Sequence, residues 1–440
     1  MSILLIICIG GAGVLIGRFA FLNWFNHLSL YTTIWGGTLI LFELRLISYY
    51  PLELETWIVI IGCWLLFVFG SMTVVFARMS IKRDYLMQHN RVNPIDTETN
   101  LKRLKTTLWS LNIITSIIAL YDLYIVSKIF GGLTQAFVFG NLLYRYRVLG
   151  EGLPGSIPYS SSLVFTAALL AGNYTARVQK LTLVGILPFI IIIMIDFAII
   201  GRADILIVGI LFTSAYFLSQ THKTRGQKKI RLSPRKLGIL VIAAAILVGG
   251  AEFIRSIRQV KEEIKGSTSI LKTLSTARVI TPSIYLYLSS DYGVLNKYIL
   301  KGGENTPIGG HTFLPLYRIF ERLGFDVHSQ AFQKWYKTPV SVNTGTYLRE
   351  LHGDFGIAGL LFGPYLIGVF SSIFWFRIME HGRYTDLAIA VFFYTIIGMS
   401  FFVMATRISP FFFYFFVSII IGYFLDKKSS ANTKYYTQTS

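Results

Sequence analysis

The sequence predicts an all-α integral membrane protein, and two observations lead to this class. Hydrophobic residues make up 53% of the chain and charged residues only 14%, whereas a soluble domain carries about 25% charged residues. The apolar residues are also gathered into runs close to the roughly 20 residues that an α-helix needs to cross a bilayer. We therefore expect about eleven transmembrane helices rather than several soluble domains.

The apolar runs divide the chain into three parts. Residues 1–253 hold the first eight predicted spans, residues 254–354 form one long outer loop, and residues 355–440 hold the last three spans and a short tail. No basic residue precedes the first run and Arg18 follows it, so we expect a retained span rather than a secretory signal peptide. The predicted runs are approximately 2–17, 30–49, 57–77, 108–127, 160–177, 180–200, 203–219, 237–253, 355–376, 385–405 and 409–426.

Two loops rich in Lys and Arg, residues 78–107 and 220–236, orient the predicted spans. Such loops stay in the cytoplasm, and the even number of runs between them agrees with placing both on one side. The N-terminus is then expected outside and the C-terminus inside. The same charge rule explains much of the formal net charge of +19, so a nucleic-acid partner is not expected.

The long outer loop contains apolar residues at helical spacing, with charged residues between them. This pattern predicts an amphipathic helix that lies either on the membrane or on the helical bundle. Its apolar positions are Phe313, Leu316, Ile319, Phe320 and Leu323, and its charged positions are Arg318, Glu321 and Arg322.

Ionisable residues within the apolar runs are costly at membrane depth and are therefore functional candidates, although a structural pair between helices is an alternative. They are Glu43, Arg45, Asp122 and Asp196. Glu43 and Arg45 are two positions apart and do not share a helix face. Each is therefore expected to find a partner on another helix.

Several arginines fall on the predicted outer side, where the charge rule does not call for them. Arg202 lies in the tight Gly201-Arg202 turn between two apolar runs. A guanidinium matches the oxygens of a phosphate, although an arginine that extends to the membrane surface would look the same in sequence. The other candidates for binding an anionic substrate are Arg255, Arg278, Arg318 and Arg407.

The most polar stretch, residues 342–354, leads directly into the ninth predicted span. Tyr347, Glu350 and Asp354 follow a helical spacing and are expected on one side, with His352 pointing elsewhere. Asp354 is alternatively a helix cap. The candidate site residues here are Asn343, Tyr347, His352 and Asp354, together with His311 in the glycine-rich stretch 309–311.

No motif predicts a cofactor or a metal. The chain lacks a Walker-type phosphate loop, a metal-ligand spacing and a nucleophile elbow. Cys8 and Cys63 both fall in apolar runs, where a thiol behaves as a small hydrophobe.

This layout resembles the O-antigen and capsule polysaccharide polymerases, the Wzy-type family. The likeness rests on the Gly201-Arg202 turn, the long outer loop, and the pattern Tyr347…Asp354-Phe355-Gly356…Gly359 that opens the next span. It covers most of the chain as topology. It implies a multi-pass protein of the bacterial inner membrane that joins oligosaccharide repeat units carried on undecaprenyl pyrophosphate, with a chain-length regulator and a flippase as further partners.

The resemblance also implies roles for residues. A growing glycan is transferred from its lipid pyrophosphate to a sugar hydroxyl of a second lipid-linked unit. Cations stabilise the leaving pyrophosphate, and a base near the acceptor oxygen removes its proton. The implied cations are Arg202, Arg278, Arg318 and Arg407. The implied bases are His352 or Asp354, then His311. The aromatics implied to stack on sugars are Tyr144, Tyr146, Trp335 and Tyr336.

Three alternatives stay open at this stage. A ligase that moves a finished glycan to a lipid A core would share the chemistry and the layout. A glycosyltransferase that uses a polyprenyl-phosphate sugar would need acidic residues in a larger first outer loop than residues 51–56. A transporter of lipid-linked sugars would more often show two related halves.

Overall fold

The computed structural model describes residues 3–81, 98–139, 155–199, 201, 203–223, 264–277, 280–304, 306–327 and 333–437. The described chain is mostly helical, with one short hairpin formed by β1 (Tyr336–Lys337) and β2 (Ser341–Val342). The helices are α1 (Ile3–Phe21), α2 (His27–Glu43), α3 (Leu54–Ile81), α4 (Glu98–Phe130), α5 (Leu133–Val138), α6 (Ser161–Val178), α7 (Leu183–Ile199), α8 (Ala203–Lys223), α9 (Ser269–Thr276), α10 (Pro282–Leu300), α11 (Leu314–Arg322), α12 (Tyr347–His381), α13 (Tyr384–Met399) and α14 (Ser409–Thr437).

Six of these helices are long and apolar enough to cross a membrane, which supports the predicted class of multi-pass membrane protein. They are Ile3–Phe21, Leu54–Met79, Glu98–Phe130, Ala203–Lys223, Tyr347–His381 and Ser409–Lys427. Leu183–Ala198 and Tyr384–Met399 are shorter apolar helices. The predicted run at 237–253 lies outside the described residues, and the count of about eleven spans stays a prediction.

The chain divides into two compact units. The first comprises Met1–His89, Lys261–Trp375 and Ile396–Ser409, and the second comprises Asn90–Val260, Phe376–Thr395 and Pro410–Ser440.

In the first unit, α3 and α12 cross closely because glycines lie where they meet. A side chain at Gly70 would overlap the backbone of Tyr365, and one at Gly368 would overlap the backbone of Phe67. Small residues at such crossings let two membrane helices approach. The His27 ring completes this core with a 2.8 Å hydrogen bond to the Ser372 hydroxyl.

The segment predicted as an outer loop is folded in its described parts. Helix α10 packs along α2, where the Tyr292 hydroxyl lies 2.7 Å from that of Thr38. The chain after α2 also pairs with the chain before α9, through an antiparallel bridge between Ile47 and Ser267. The amphipathic helix predicted around residues 313–323 is present as α11.

Helix α12 begins at Tyr347, whereas the sequence predicts its span from about residue 355. The helix is broken once, at Gly356, which has φ 61° and ψ −146°. Only glycine adopts this conformation without strain. The break therefore separates a first segment, which carries the polar residues 347–354, from the apolar remainder.

The second unit has α6 at its centre, with α4, α7 and α8 packed against it. A side chain at Gly172 of α6 would overlap the Phe212 backbone in α8. The buried carboxylate of Asp196 accepts the Ile205 backbone N–H at 3.0 Å and so caps the start of α8. Asp122 is buried in α4.

The sequence predicts that Glu43 and Arg45 each pair with a residue on another helix, but the structure pairs them with each other. Helix α2 ends at Glu43, and Arg45 adopts a left-handed conformation with φ 50°. The helical spacing rule therefore no longer applies between them. Their charged groups approach to 3.9 Å, with the Arg45 side chain 46% exposed.

Candidate functional site

Polar side chains from five segments converge in the first unit, and we call this group the polar cluster. The first segment of α12 contributes Arg349, Glu350, His352 and Asp354, and the other segments contribute Tyr298, Glu304, His311, Gln333, Tyr336 and Arg407. Because the polar residues of α12 point in different directions around the helix, they contact different neighbouring segments. The cluster thereby holds the end of α10, the loop after it, the hairpin and the turn before α14 in one arrangement.

Arg349 is the most buried cation of the cluster. Its guanidinium donates to both oxygens of Glu304, at 2.9 and 3.2 Å, and to the backbone carbonyls of Asn343 and Lys334, at 3.1 and 2.9 Å. The planar fork of an arginine makes several such bonds at once. Arg349 therefore joins the loop of Glu304 to both sides of the hairpin, and its charge is compensated by Glu304.

Two tyrosines surround this ion pair. The Arg349 guanidinium lies 5.0 Å from the ring centre of Tyr336 and 5.7 Å from that of Tyr298, within the range of cation–π attraction. The Tyr336 hydroxyl donates to Glu304 at 2.7 Å. Burial and then the hydrogen bond with Glu304 raise the pKa of Tyr336, and burial raises the pKa of Tyr298 to about 12. Both hydroxyls are therefore protonated at neutral pH.

Glu350 is fully buried and forms a second ion pair with Arg407. The carboxylate also accepts the Met404 backbone N–H and, at 2.8 Å, the side-chain amide of Gln333. An isolated carboxylate at such a position would be very costly, and these three donors offset its desolvation. The pair fixes the turn that leads to α14 against the start of α12.

Asp354 holds the loop before α11 through backbone hydrogen bonds. One carboxylate oxygen accepts the His311 N–H at 2.9 Å, and the other accepts the Thr312 N–H at 2.6 Å. The residue is therefore an anchor for the loop. It lies two turns inside α12 and does not cap the helix start.

His311 is buried beside this anchor, and its Nδ1 has no hydrogen-bond partner among the described residues. The pKa of His311 is lowered to about 4, mainly by burial, and the positive charge of Arg407 lowers it more than the negative charge of Asp354 raises it. The ring is therefore neutral near pH 7. A neutral imidazole is able to accept a proton, although this one is enclosed.

His352 is half-buried, and its ring is oriented by one neighbour. The Nδ1 atom lies 2.7 Å from the Tyr298 hydroxyl, and the two rings meet edge to face. If Nδ1 carries the proton and donates it to the Tyr298 oxygen, the Nε2 lone pair is left for another proton. An imidazole held by a second group in this way is the usual arrangement of a general base.

Asp291 is a buried acid behind the cluster, on α10. Burial raises its pKa well above the usual range, more than the neighbouring Thr344 and Arg349 lower it. Neither carboxylate oxygen has a well-formed hydrogen bond among the described residues. Burial therefore favours the protonated form of this carboxyl over the carboxylate.

The structure brings together most of the sequence-predicted site residues that it describes. His311, His352, Asp354 and Arg407 belong to the polar cluster, and Asn343 contributes its carbonyl to Arg349. Arg318 lies at its edge and donates to the Ser409 hydroxyl at 3.3 Å. Arg202, Arg255 and Arg278, and the predicted sugar-binding Tyr144 and Tyr146, lie outside the described residues.

Tyr347 and Tyr336 are buried, whereas Trp335 is exposed. The Tyr347 hydroxyl lies 2.9 Å from that of Tyr31 in the apolar interior, and the side chain is only 1% exposed. Tyr336 is buried beneath Arg349, whereas Trp335 is 61% exposed. Of these three aromatics, Trp335 alone has an open surface for a sugar.

Sequence reasoning passed over Arg349, Glu304 and Tyr298, although they organise the cluster. The signal available in the sequence was the scarcity of acidic residues, since the chain has 22 of them against 41 basic ones. An acidic residue such as Glu304, within a segment rich in Lys and Arg, has many cations to pair with. No local spacing links it to Arg349, which lies 45 positions away.

Comparison with known proteins gives no relative: no family model, no curated protein and no solved structure matches the chain. Within the described ranges, no three His, Cys, Asp or Glu side chains converge to hold a metal ion.

Proposed function

We propose that this chain is a glycosyltransferase that joins polyprenyl-pyrophosphate-linked oligosaccharide repeat units into a surface polysaccharide at the outer face of a bacterial inner membrane. The observation that carries the proposal is the oriented imidazole of His352, half-exposed beside buried arginines at the start of a long apolar helix. This arrangement places an oriented general base at the polar start of an apolar helix, the level at which a lipid-linked pyrophosphate would enter the site.

The reaction needs one proton transfer and one displacement. The acceptor hydroxyl gives its proton to Nε2 of His352 as its oxygen attacks the anomeric carbon of the donor sugar. The bond from that carbon to the pyrophosphate oxygen breaks, and the lipid pyrophosphate leaves with the bonding electrons. No nucleotide is consumed, since the bond that breaks is already activated.

Asp354 and His311 act on the site indirectly in this proposal. The Asp354 oxygens are occupied by two backbone N–H groups, and His311 is enclosed. Both residues set the position of the loop that leads to Arg318. His352 is the general base because it alone of the three combines a fixed orientation with an open side.

The leaving pyrophosphate needs cations beyond the two buried ion pairs. Arg349 and Arg407 are each compensated by a carboxylate, Glu304 and Glu350 respectively. The two pairs therefore add little net positive charge. We assign the remaining stabilisation to Arg318 at the edge of the cluster, together with the predicted outer arginines Arg202, Arg255 and Arg278. The exposed ring of Trp335 supplies a stacking surface for the glycan.

The test is polymerisation by the purified protein in proteoliposomes, with synthetic undecaprenyl-pyrophosphate repeat units of the host glycan. We expect a ladder of products without nucleotide, and at least a hundredfold slower formation by His352→Gln, within the range that a general base supplies. His381→Gln, an exposed change at the far end of α12, is the control and keeps the wild-type rate.

The other outcomes each identify a different function. Transfer only after a lipid A core is supplied would identify a ligase. Movement of the lipid-linked sugar across the bilayer without any new glycosidic bond would identify a transporter. A ladder that His352→Gln leaves unchanged would keep the polymerase and remove His352 from its mechanism.

A further inference from the structure

Helix α11 turns its apolar side away from the protein. Phe313, Phe320 and Leu323 are 41%, 45% and 68% exposed, and they recur every three or four residues with Leu316 between them. An amphipathic helix on a protein surface normally buries this side and exposes its charges. The side of α11 that contacts the protein instead carries Leu314 and Arg318.

The contacts of α11 place it where membrane helices begin. The Arg318 guanidinium donates to the hydroxyl of Ser409, the first residue of α14 and of its apolar portion Ser409–Lys427. The loop directly before α11 is held by Asp354, in the first segment of the apolar helix α12. Two tethers to the ends of membrane-spanning helices fix α11 at the level where the bilayer meets water.

The exposed apolar surface extends beyond the helix itself. Ile308 before α11 is 80% exposed and Phe325 after it is 59% exposed. Arg318 and Arg322 lie on the side of the helix opposite Phe320 and Leu323, because residues three or four apart share a helix face and residues one or two apart do not. A helix that lies in a membrane surface has this distribution. Its apolar side faces the acyl chains, and the arginines on its other side attract anionic headgroups.

We propose that α11 lies in the outer surface of the bilayer, with Phe313, Phe320 and Leu323 inserted among the acyl chains and its arginines at headgroup level. The occupant of the exposed side is membrane lipid. The helix thereby keeps the polar cluster at the depth of lipid headgroups. This inference does not depend on the proposed reaction, because it concerns where the site lies and not what it does.

The test measures the surroundings of α11 in liposomes with nitroxide labels. Single cysteines are introduced as Phe320→Cys and Leu323→Cys in a Cys8→Ala, Cys63→Ala background, and Glu321→Cys on the charged side is the matched control. We expect relaxation of the labels at 320 and 323 to respond to oxygen at least threefold more than to a soluble nickel chelate. The label at 321 should show the reverse preference.

Two results would overturn the inference. Equal access of the nickel chelate at positions 320, 321 and 323 would place both sides in water. Protection of 320 and 323 from both reagents would show that protein covers them. A second measurement leaves the native cysteines in place: benzoylphenylalanine at position 320, a close relative of the native ring, should form photoadducts with lipid, and adducts with a second chain would contradict the proposal.

Discussion

The Asp354 carboxylate accepts the backbone N–H of His311 at 2.9 Å, so two of the three residues that the sequence offers as general bases are bound to each other. This contact joins α12 to the loop before α11 and encloses the His311 ring. The third residue, His352, lies on the same helix and turns toward Tyr298. The following predictions test this division of roles.

Tyr298 is expected to act as a positioning residue for His352. Tyr298→Phe removes the oxygen bound to Nδ1, so the ring loses its preference for one tautomer and orientation. We expect kcat of ladder formation to fall about tenfold with KM unchanged, a fraction of what loss of the base itself costs. Tyr292→Phe, which breaks a buried bond to Thr38 instead, is the control. A rise in KM at constant kcat would assign Tyr298 to substrate packing.

His311 is expected to make stability depend on pH below neutrality. Its pKa is about 4 in the folded protein and about 6.5 when unfolded. The unfolded chain therefore binds the proton more tightly between these values, and stability is complete above about pH 6.5 and is lost as the pH falls toward 4. The loss is at most about 1.4 kcal/mol per pH unit.

Thermal unfolding in detergent between pH 4.5 and 7.5 measures this effect. We expect His311→Gln to flatten the decrease below pH 6.5, while His381→Gln, which changes an exposed ring, keeps the wild-type slope. Equal slopes for wild type and His311→Gln would show that His311 does not contribute the pH dependence.

The Glu350–Arg407 pair is expected to be structural first. Arg407→Met leaves the fully buried Glu350 without its cation, and breaking a buried pair on one side costs about 3–5 kcal/mol. Glu350→Gln combined with Arg407→Met removes both charges and should restore much of the melting temperature. If the double variant regains stability but forms no ladder, Arg407 also contacts substrate; if it regains both, pairing with Glu350 is its whole role.

Gly356 is expected to be required for its backbone conformation alone. An added methyl group would meet no atom within 4 Å, but φ 61° with ψ −146° is unfavourable for any other residue. Gly356→Ala should therefore lower stability by about 1–3 kcal/mol. Gly62→Ala is the matched control, because that position in α3 is equally open and is not in the left-handed region. Equal melting temperatures for the two variants would contradict the prediction.

The sequence predicts the helices well because their signal is local. Runs of apolar residues such as 57–77 and 409–426 fall within α3 and α14, since each run must satisfy its backbone within one helix at membrane depth. The spacing of residues 313–323 likewise predicts α11. It does not decide whether the apolar side of α11 meets membrane or protein, because periodicity describes a helix and not its neighbours.

The partners within the site were decided by the tertiary structure. Local spacing gives the polar stretch 342–354 and the candidates His352, Asp354 and His311. It cannot give the contact of Arg349 with Glu304, 45 positions earlier, or that of Glu350 with Arg407, 57 positions later. Such pairs form because folding removes each charge from water and the nearest opposite charge offsets that cost. By itself the sequence therefore determined the class, the helices and the polar entrance to α12, and only the packing of α10, the hairpin and the turn before α14 decided which of its charges are bound to one another.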